Sequence, residues 1–230
     1  MIVMKFGGTS LASAKRINNV AKLVAEQKAK KPVVVVSAMS QVTNKLVELA
    51  GLAVNKKTAN QCDAILQHLR TLHYETALAL NLPPTVAAQL VESIDSKFIK
   101  LEDVLNNVAE LGELTPRASD LITSFGERLS VLLVAACLTQ NGTPAVPVEA
   151  SDLIVTDDNF TSAQPILGLS KKRTQAKLKP VFSKGLTPVI TGFIGSNASG
   201  VLTTLGRGGS DYSATIIGYC VDASEVWIWT

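Results

Sequence analysis

Apolar positions follow two alternating rhythms along the chain. Ile2 to Phe6 is a short apolar run broken only by Lys5, and it ends in Gly7-Gly8-Thr9-Ser10. Ile17, Val20, Ala21 and Val24 then recur at the spacing of one helix face. Lys28 to Lys31 closes that helix with positive charge, which suits the negative end of a helix dipole, and Pro32 marks a boundary. Val33 to Val36 is apolar at every position, the mark of a strand buried on both faces of a parallel sheet. Strand, glycine turn, helix and buried strand make a βαβ unit.

From Asn44 to about Ala109 the pattern is helical, rich in Ala, Leu, Gln and Asn, with Pro83-Pro84 as its clear break. Helices here would cover one end of the sheet, as a lid or a subunit contact. Phe125, Leu129, Leu132, Leu133 and Ala136 predict a further helix, capped at Asn141-Gly142. Ala145 to Val148 reads as a strand, Leu153 to Val155 as a short one, and Ile166 to Lys179 as a polar helix. Val189 to Thr191 reads as a strand running into Gly192-Phe193-Ile194-Gly195. Val201 to Leu205 suits one arm of a hairpin. Gly206-Arg207-Gly208-Gly209-Ser210-Asp211 precedes a helix with Ala214, Ile217 and Val221 inward, and Val226 to Thr230 reads as a final buried strand. The alternation predicts a three-layer α/β sandwich with a mainly parallel central sheet, as one domain over residues 1–230. Ligand sites in such sheets lie beyond the carboxyl ends of the strands. A chain stopping at Thr230 is therefore expected to be truncated on its C-terminal side, at the lip of a site.

Composition narrows the class. Apolar residues at 47% against 18% charged suit a globular core. A net charge of +3 is too small to argue for nucleic acid. The densest basic stretch, Lys171, Lys172, Arg173, Lys177 and Lys179, reads as a solvated helix face. Cys62, Cys137 and Cys220 form no C-x-x-C pair and suit reduced thiols in the cytoplasm. No run reaches the roughly 18 uninterrupted apolar residues of a membrane span. His68 and His73, five apart, do not share a helix face as a metal pair would, and read as ordinary surface or half-buried residues.

Four segments carry candidate chemistry. In Lys5-Phe6-Gly7-Gly8, adjacent glycines between strand and helix let backbone N–H groups approach an anion, and Lys5 adds an ammonium. The order of residues is not that of a Walker A loop, and the segment also suits a plain tight turn. The three glycines of 206–209 suit a second phosphate nest, with Arg207 offering a fork for a carboxylate or phosphate. Ser210 and Asp211 suit helix capping, and Asp211 could orient Lys5 or a metal-associated water. The hydroxyls of Ser37, Ser40 and Thr43 fall at the carboxyl end of a strand. Glu127 is placed near the start of its helix, where the dipole favours it; facing the site, it could hold an ammonium group.

KFGGTS at 5–10, VSAMSQVTN at 36–44, FGERLS at 125–130, GFIG at 192–195, TTLGRGGSDYSA at 203–214 and WIWT at 227–230 occur in this order in aspartate kinases. The chain resembles the amino-acid-kinase domain of that family along essentially its whole length. Kinases acting on acetylglutamate, glutamate, carbamate or UMP share the glycine loops. The resemblance implies ATP-dependent phosphorylation of the side-chain carboxylate of L-aspartate to 4-phospho-L-aspartate, the first step toward lysine, threonine and methionine. It implies that Lys5, Phe6, Gly7 and Gly8, with Gly206, Gly208 and Gly209, hold the ATP phosphates, and that Thr230 opens the nucleotide-binding strand end. It places Ser37, Thr43, Glu127, Phe193, Arg207 and Ser210 on aspartate and lets Asp211 organise the catalytic Lys5. Mg²⁺ would arrive with ATP and not on protein side chains. The complete protein would be a homo-oligomer, with the rest of the adenine and ribose site and any regulatory domains after residue 230. The alternatives are another acceptor within the same family, or a truncated domain that binds aspartate without turnover.

Overall fold

The structure is a computed structural model that describes residues 1–206 and 208–230; Arg207 lies outside the described residues. Five parallel strands form the central sheet: β1 (Ile2–Phe6), β2 (Pro32–Val36), β3 (Ala145–Val148), β4 (Thr187–Thr191) and, after a hairpin, β7 (Glu225–Trp229). Their order is β3-β4-β2-β1-β7. The hairpin pairs β5 (Ile194–Ser196) with β6 (Leu202–Thr204) antiparallel.

The expected three layers are present, and side-chain alternation in the strands produces them. Met4, Phe6, Val34 and Val36 point into one core, and Val3, Val33 and Val35 point into the other. The first core is covered by α1 (Ala14–Glu26), α2 (Val42–Ala53), α3 (Ala59–Ala79), α4 (Pro84–Leu111) and α5 (Pro116–Gln140). The second is covered by α6 (Leu167–Ser183) and α7 (Gly209–Cys220). A strand apolar at every position is what burial on both faces requires.

Local chemistry sets the helix limits. Ser13 caps α1, its hydroxyl accepting from the Arg16 N–H. Pro84 opens α4 at its first position, where a missing N–H costs nothing. Gly112, at φ +64°, closes α4 in the left-handed conformation. Three residues later the Thr115 hydroxyl accepts from the Ala118 N–H, and α5 begins at Pro116. By length and composition α5 could cross a membrane, yet most of it is buried inside the domain.

Four expectations need correcting. Leu153 to Val155 is not a strand; Val155 makes one isolated bridge to Ser196, and its N–H donates to the Ser170 hydroxyl. The Ala150 carbonyl accepts from the Leu153 and Ile154 N–H groups, so the turn there takes the run's first two amides from any ladder. β7 is not a buried strand but the sheet edge, half exposed, with Lys30 over the Trp227 ring. Glu127 is the twelfth residue of α5, beyond the reach of its N-terminal dipole, because the helix starts well upstream at Pro116. His68 is exposed as expected, but His73 is wholly buried against the edge of Phe98.

Nδ1–H of His73 donates to the Leu69 carbonyl at 2.7 Å, and Nε2 has no partner among the described residues. Burial lowers its pKa to about 4, against the Leu69 bond that raises it. The unfolded chain therefore takes up a proton as pH falls below about 6.5, and the folded chain resists until about 4. Stability is lost across that window. Between about pH 7.5 and 5 this group should cost about 2 kcal/mol, and His73→Leu should abolish the difference in paired denaturant titrations.

Candidate active site

The carboxyl ends of β1, β2 and β4 open into a cleft of about 770 Å³, also lined by α5 and by the loop before α7. Lys5 is the penultimate residue of β1, beside Val35 on one side and Ile228 on the other. Its side chain is buried on the α7 side of the sheet, and Nζ lies 2.5 Å from Asp211 Oδ1. Gly8 follows, and a Cβ there would stand 2.9 Å from the Ala38 carbonyl oxygen. The turn after β1 is thus pressed onto the turn after β2, which only glycine permits.

The turn after β2 is held from α5. The Ala38 N–H donates to Glu127 Oε1 at 3.1 Å, and the Ser130 hydroxyl donates to the Ser37 carbonyl at 2.7 Å. Gly126 lies flush against this turn, where a Cβ would come 2.7 Å from the Ala38 Cβ. A mid-helix glycine costs about 1 kcal/mol against alanine, and this close approach explains it. Glu127 is 3% exposed, and its Oε2 has no hydrogen-bond partner among the described residues. Burial pushes its carboxyl up to about 8, opposed by the Ala38 N–H, its own backbone and the Lys5 charge.

The β4 end meets α7 just as closely. A Cβ on Gly192 would lie 2.8 Å from the Ser210 Cβ, and one on Gly209 would lie 2.7 Å from the Phe193 ring. The Phe193 N–H donates to the Ser213 hydroxyl, and Phe193 itself sits at φ +66°. Gly206 and Gly208 take φ +76° and +72°, which seats the loop for α7 to begin at Gly209.

Of the residues read from sequence, Lys5, Gly8, Ser37, Thr43, Glu127, Phe193, Gly206, Gly208, Gly209, Ser210 and Asp211 line this one cleft. Phe6 does not: its ring is in the core, stacked on Trp229 at 4.9 Å, so it offers main-chain groups alone. Gly7 is not among the lining residues; it donates its N–H to the Trp229 carbonyl, and a Cβ there would stand 3.4 Å from both Lys5 Nζ and the Thr230 Cα. Arg207 is outside the described residues. Asp120, Thr123, Thr161 and Thr204 also line the cleft and were not anticipated. For Asp120 a signal existed: it lies seven residues before Glu127, two turns back on the same helix face.

Residues 1–230 match the amino acid kinase family, and the chain belongs to that family. It is 42% identical to the chloroplastic aspartokinase 3 of Arabidopsis thaliana, over 99% of this chain and 40% of that protein. It is 32% identical to the lysine-sensitive aspartokinase 3 of Escherichia coli K12, over 100% of this chain and 49% of that one. Crystal structures of E. coli aspartokinase III superpose at 30% identity, covering 100% of this chain and 49% of theirs. The complex with lysine and aspartate (T-state) gives a TM-score of 0.90, and that with aspartate and ADP (R-state) gives 0.88. The chain thus spans half or less of the length of these relatives.

Gly126→Ala should force the Ala38 turn off α5. A destabilisation of about 1–3 kcal/mol is expected by chemical denaturation, whereas Gly51→Ala in α2, where a Cβ meets open space, should cost nothing.

Proposed function

We propose that this chain forms the amino-acid and phosphate sites of an aspartate kinase, which transfers the γ-phosphoryl group of ATP to the side-chain carboxylate of L-aspartate. The observation that carries this reading is the pairing, in one cleft, of a buried lysine at a glycine turn with a buried carboxylate whose second oxygen has no partner. A partnerless buried carboxylate oxygen wants a cation, and an α-ammonium group supplies one.

The acceptor needs no base, because an aspartate side chain with a pKa of about 3.9 is already ionised at neutral pH. One carboxylate oxygen bonds to the γ-phosphorus as the bond to the ADP oxygen breaks, giving 4-phospho-L-aspartate and ADP. The obstacle is the approach of anion to anion, so catalysis is positioning and positive charge. Lys5 faces the transferring group, and Asp211 holds its Nζ in place. The amides around Gly8 and those of Gly206, Gly208 and Gly209 cradle phosphate oxygens, with Arg207 on a substrate carboxylate. Ser37, Thr43, Phe193 and Ser210 shape the amino-acid pocket. Mg²⁺ entering with ATP adds charge neutralisation on the phosphates.

The names of the relatives support aspartate over other acceptors in the family, and a reaction in lysine and threonine biosynthesis fits them. Three unpaired thiols suit a reducing compartment such as the cytoplasm. Leu78, Ile99 and Leu111, exposed on α3 and α4, support that layer as a contact between copies. Thr230, whose Cα lies against Gly7, would open the adenine side of the nucleotide site.

Lys5→Ala should lower kcat about a thousandfold or more in an aspartate-dependent ATP-consumption assay; near-normal kcat would exclude its role. Activity with glutamate, acetylglutamate or UMP in place of aspartate would move the chain elsewhere in the family. Calorimetry showing aspartate binding without ATP binding would make these 230 residues a binding domain.

A pH test bears on Glu127. With its pKa raised to about 8, the empty site holds a proton at neutral pH that the substrate ammonium must displace. Aspartate affinity should therefore strengthen several-fold between about pH 7 and 8, with proton release seen as a buffer-dependent heat. Glu127→Gln should bind weakly and show neither dependence.

A further inference from the structure

We propose that Asp120 is a positioning residue that locks the glycine loop 206–209 to the helix carrying Glu127, setting the spacing between the phosphate and amino-acid halves of the cleft. Its catalytic consequence rests on the kinase reading; its geometry does not.

Asp120 is 1% exposed, and its carboxylate gathers two segments distant in sequence. The Thr161 N–H donates to both oxygens at 3.0 Å. The Thr204 N–H donates to Oδ2 at 3.0 Å, and the Thr204 hydroxyl donates to Oδ1 at 2.6 Å. Three donors thus make four contacts that occupy both carboxylate oxygens, although the residue lines the cleft. No ion pair involves Asp120 among the described residues, so backbone and hydroxyl donors alone compensate its burial.

What it holds is strained and leads to the loop. Thr161 sits at φ +70°, a left-handed conformation that a β-branched residue adopts only when its surroundings impose it. The bifurcated bond to Asp120 is that imposition. The Thr161 carbonyl then stands 3.4 Å from where a Cβ on Gly206 would be, as does the Ser162 hydroxyl. Thr204 is fixed from both sides, because its carbonyl also accepts the Ala163 N–H at 2.8 Å. Gly206 follows two residues on. Asp120 and Glu127 share one rigid helix, separated by roughly 10 Å along its axis. The phosphate loop is thereby referenced to the same rod that carries the ammonium-binding carboxylate.

The test compares wild type with Asp120→Ala, Asp120→Asn, Thr204→Val and the Asp120→Ala/Thr204→Val double variant. Amide exchange of the unliganded protein and steady-state kinetics are both measured. In Asp120→Ala, exchange over 157–165 and 202–209 should rise about tenfold or more, with β1, β2 and α4 unchanged. Its kcat should fall about tenfold or more with smaller changes in either KM, as lost alignment requires. Asp120→Asn keeps one acceptor oxygen and should fall between. The double variant should be no worse than Asp120→Ala, since Thr204 acts through the same carboxylate. Unchanged exchange in those segments, retained kcat or additive losses would overturn the proposal. Should Asp120→Ala not fold, Thr204→Val carries the same comparison with a smaller change. If the wild type consumes no ATP with aspartate, the kinase reading fails, and the exchange comparison still decides the lock.

Discussion

A lysine ammonium buried at the end of a central strand must find a counter-charge, and at Lys5 that requirement organises the molecule. Asp211 meets it from the first turn of α7. For Asp211 to arrive there, α7 must begin against the carboxyl end of β4, with Gly192 and Gly209 giving way to Ser210 and Phe193. The loop ahead of α7 must then turn through two left-handed glycines. One ion pair so ties β1, β4 and α7 into a single wall. Truncating Asp211, whose side chain is itself partly exposed, would leave the buried Lys5 ammonium uncompensated, which is costlier than never having buried it.

The opposite wall depends on α5, which packs on α1, α2, α4 and strands β3 and β4. Its inner face changes character along its length. Asp120 binds the hairpin side, Gly126 admits the turn after β2, and Glu127 and Ser130 hold that turn by its own backbone. Two buried carboxylates on one helix thus have different environments. Asp120 is saturated with donors, and Glu127 is half satisfied. Burial raises both, but only the second keeps an oxygen in want of a partner. The contrast separates a structural acid from one suited to receive a ligand.

Local patterns in the sequence were legible where period and turn chemistry agreed. Val33 to Val36 and the glycine pair after Phe6 announced β1, α1 and β2, and Pro83-Pro84 marked the start of α4. The glycine loops led to most of the cleft because tight backbone approach leaves a compositional trace. Contacts set by tertiary packing left none. The early turns of α5 contain Ser119, Asp120, Thr123 and Ser124, a polar run with no apolar trace of burial, yet they are mostly buried, with the segment before α6 and the end of β6 bonded to Asp120. The apolar run at 226–229 announced a strand but not its rank in the sheet, which depends on which neighbour β1 accepts. His73 carried no sign of burial, since a histidine on a helix face reads alike whether the next helix covers it or not.

Gln41, Thr161 and Phe193 hold left-handed backbone without being glycine, and all three line the cleft. Each such residue costs of order 1–3 kcal/mol. Lys31, Asn81 and Asp222 hold left-handed backbone elsewhere, so the cleft gathers three of the six such positions among the described residues. Directed evolution for heat resistance would find its easiest gains in these walls, and each gain would come at the expense of the shape that the cleft presents to its ligands.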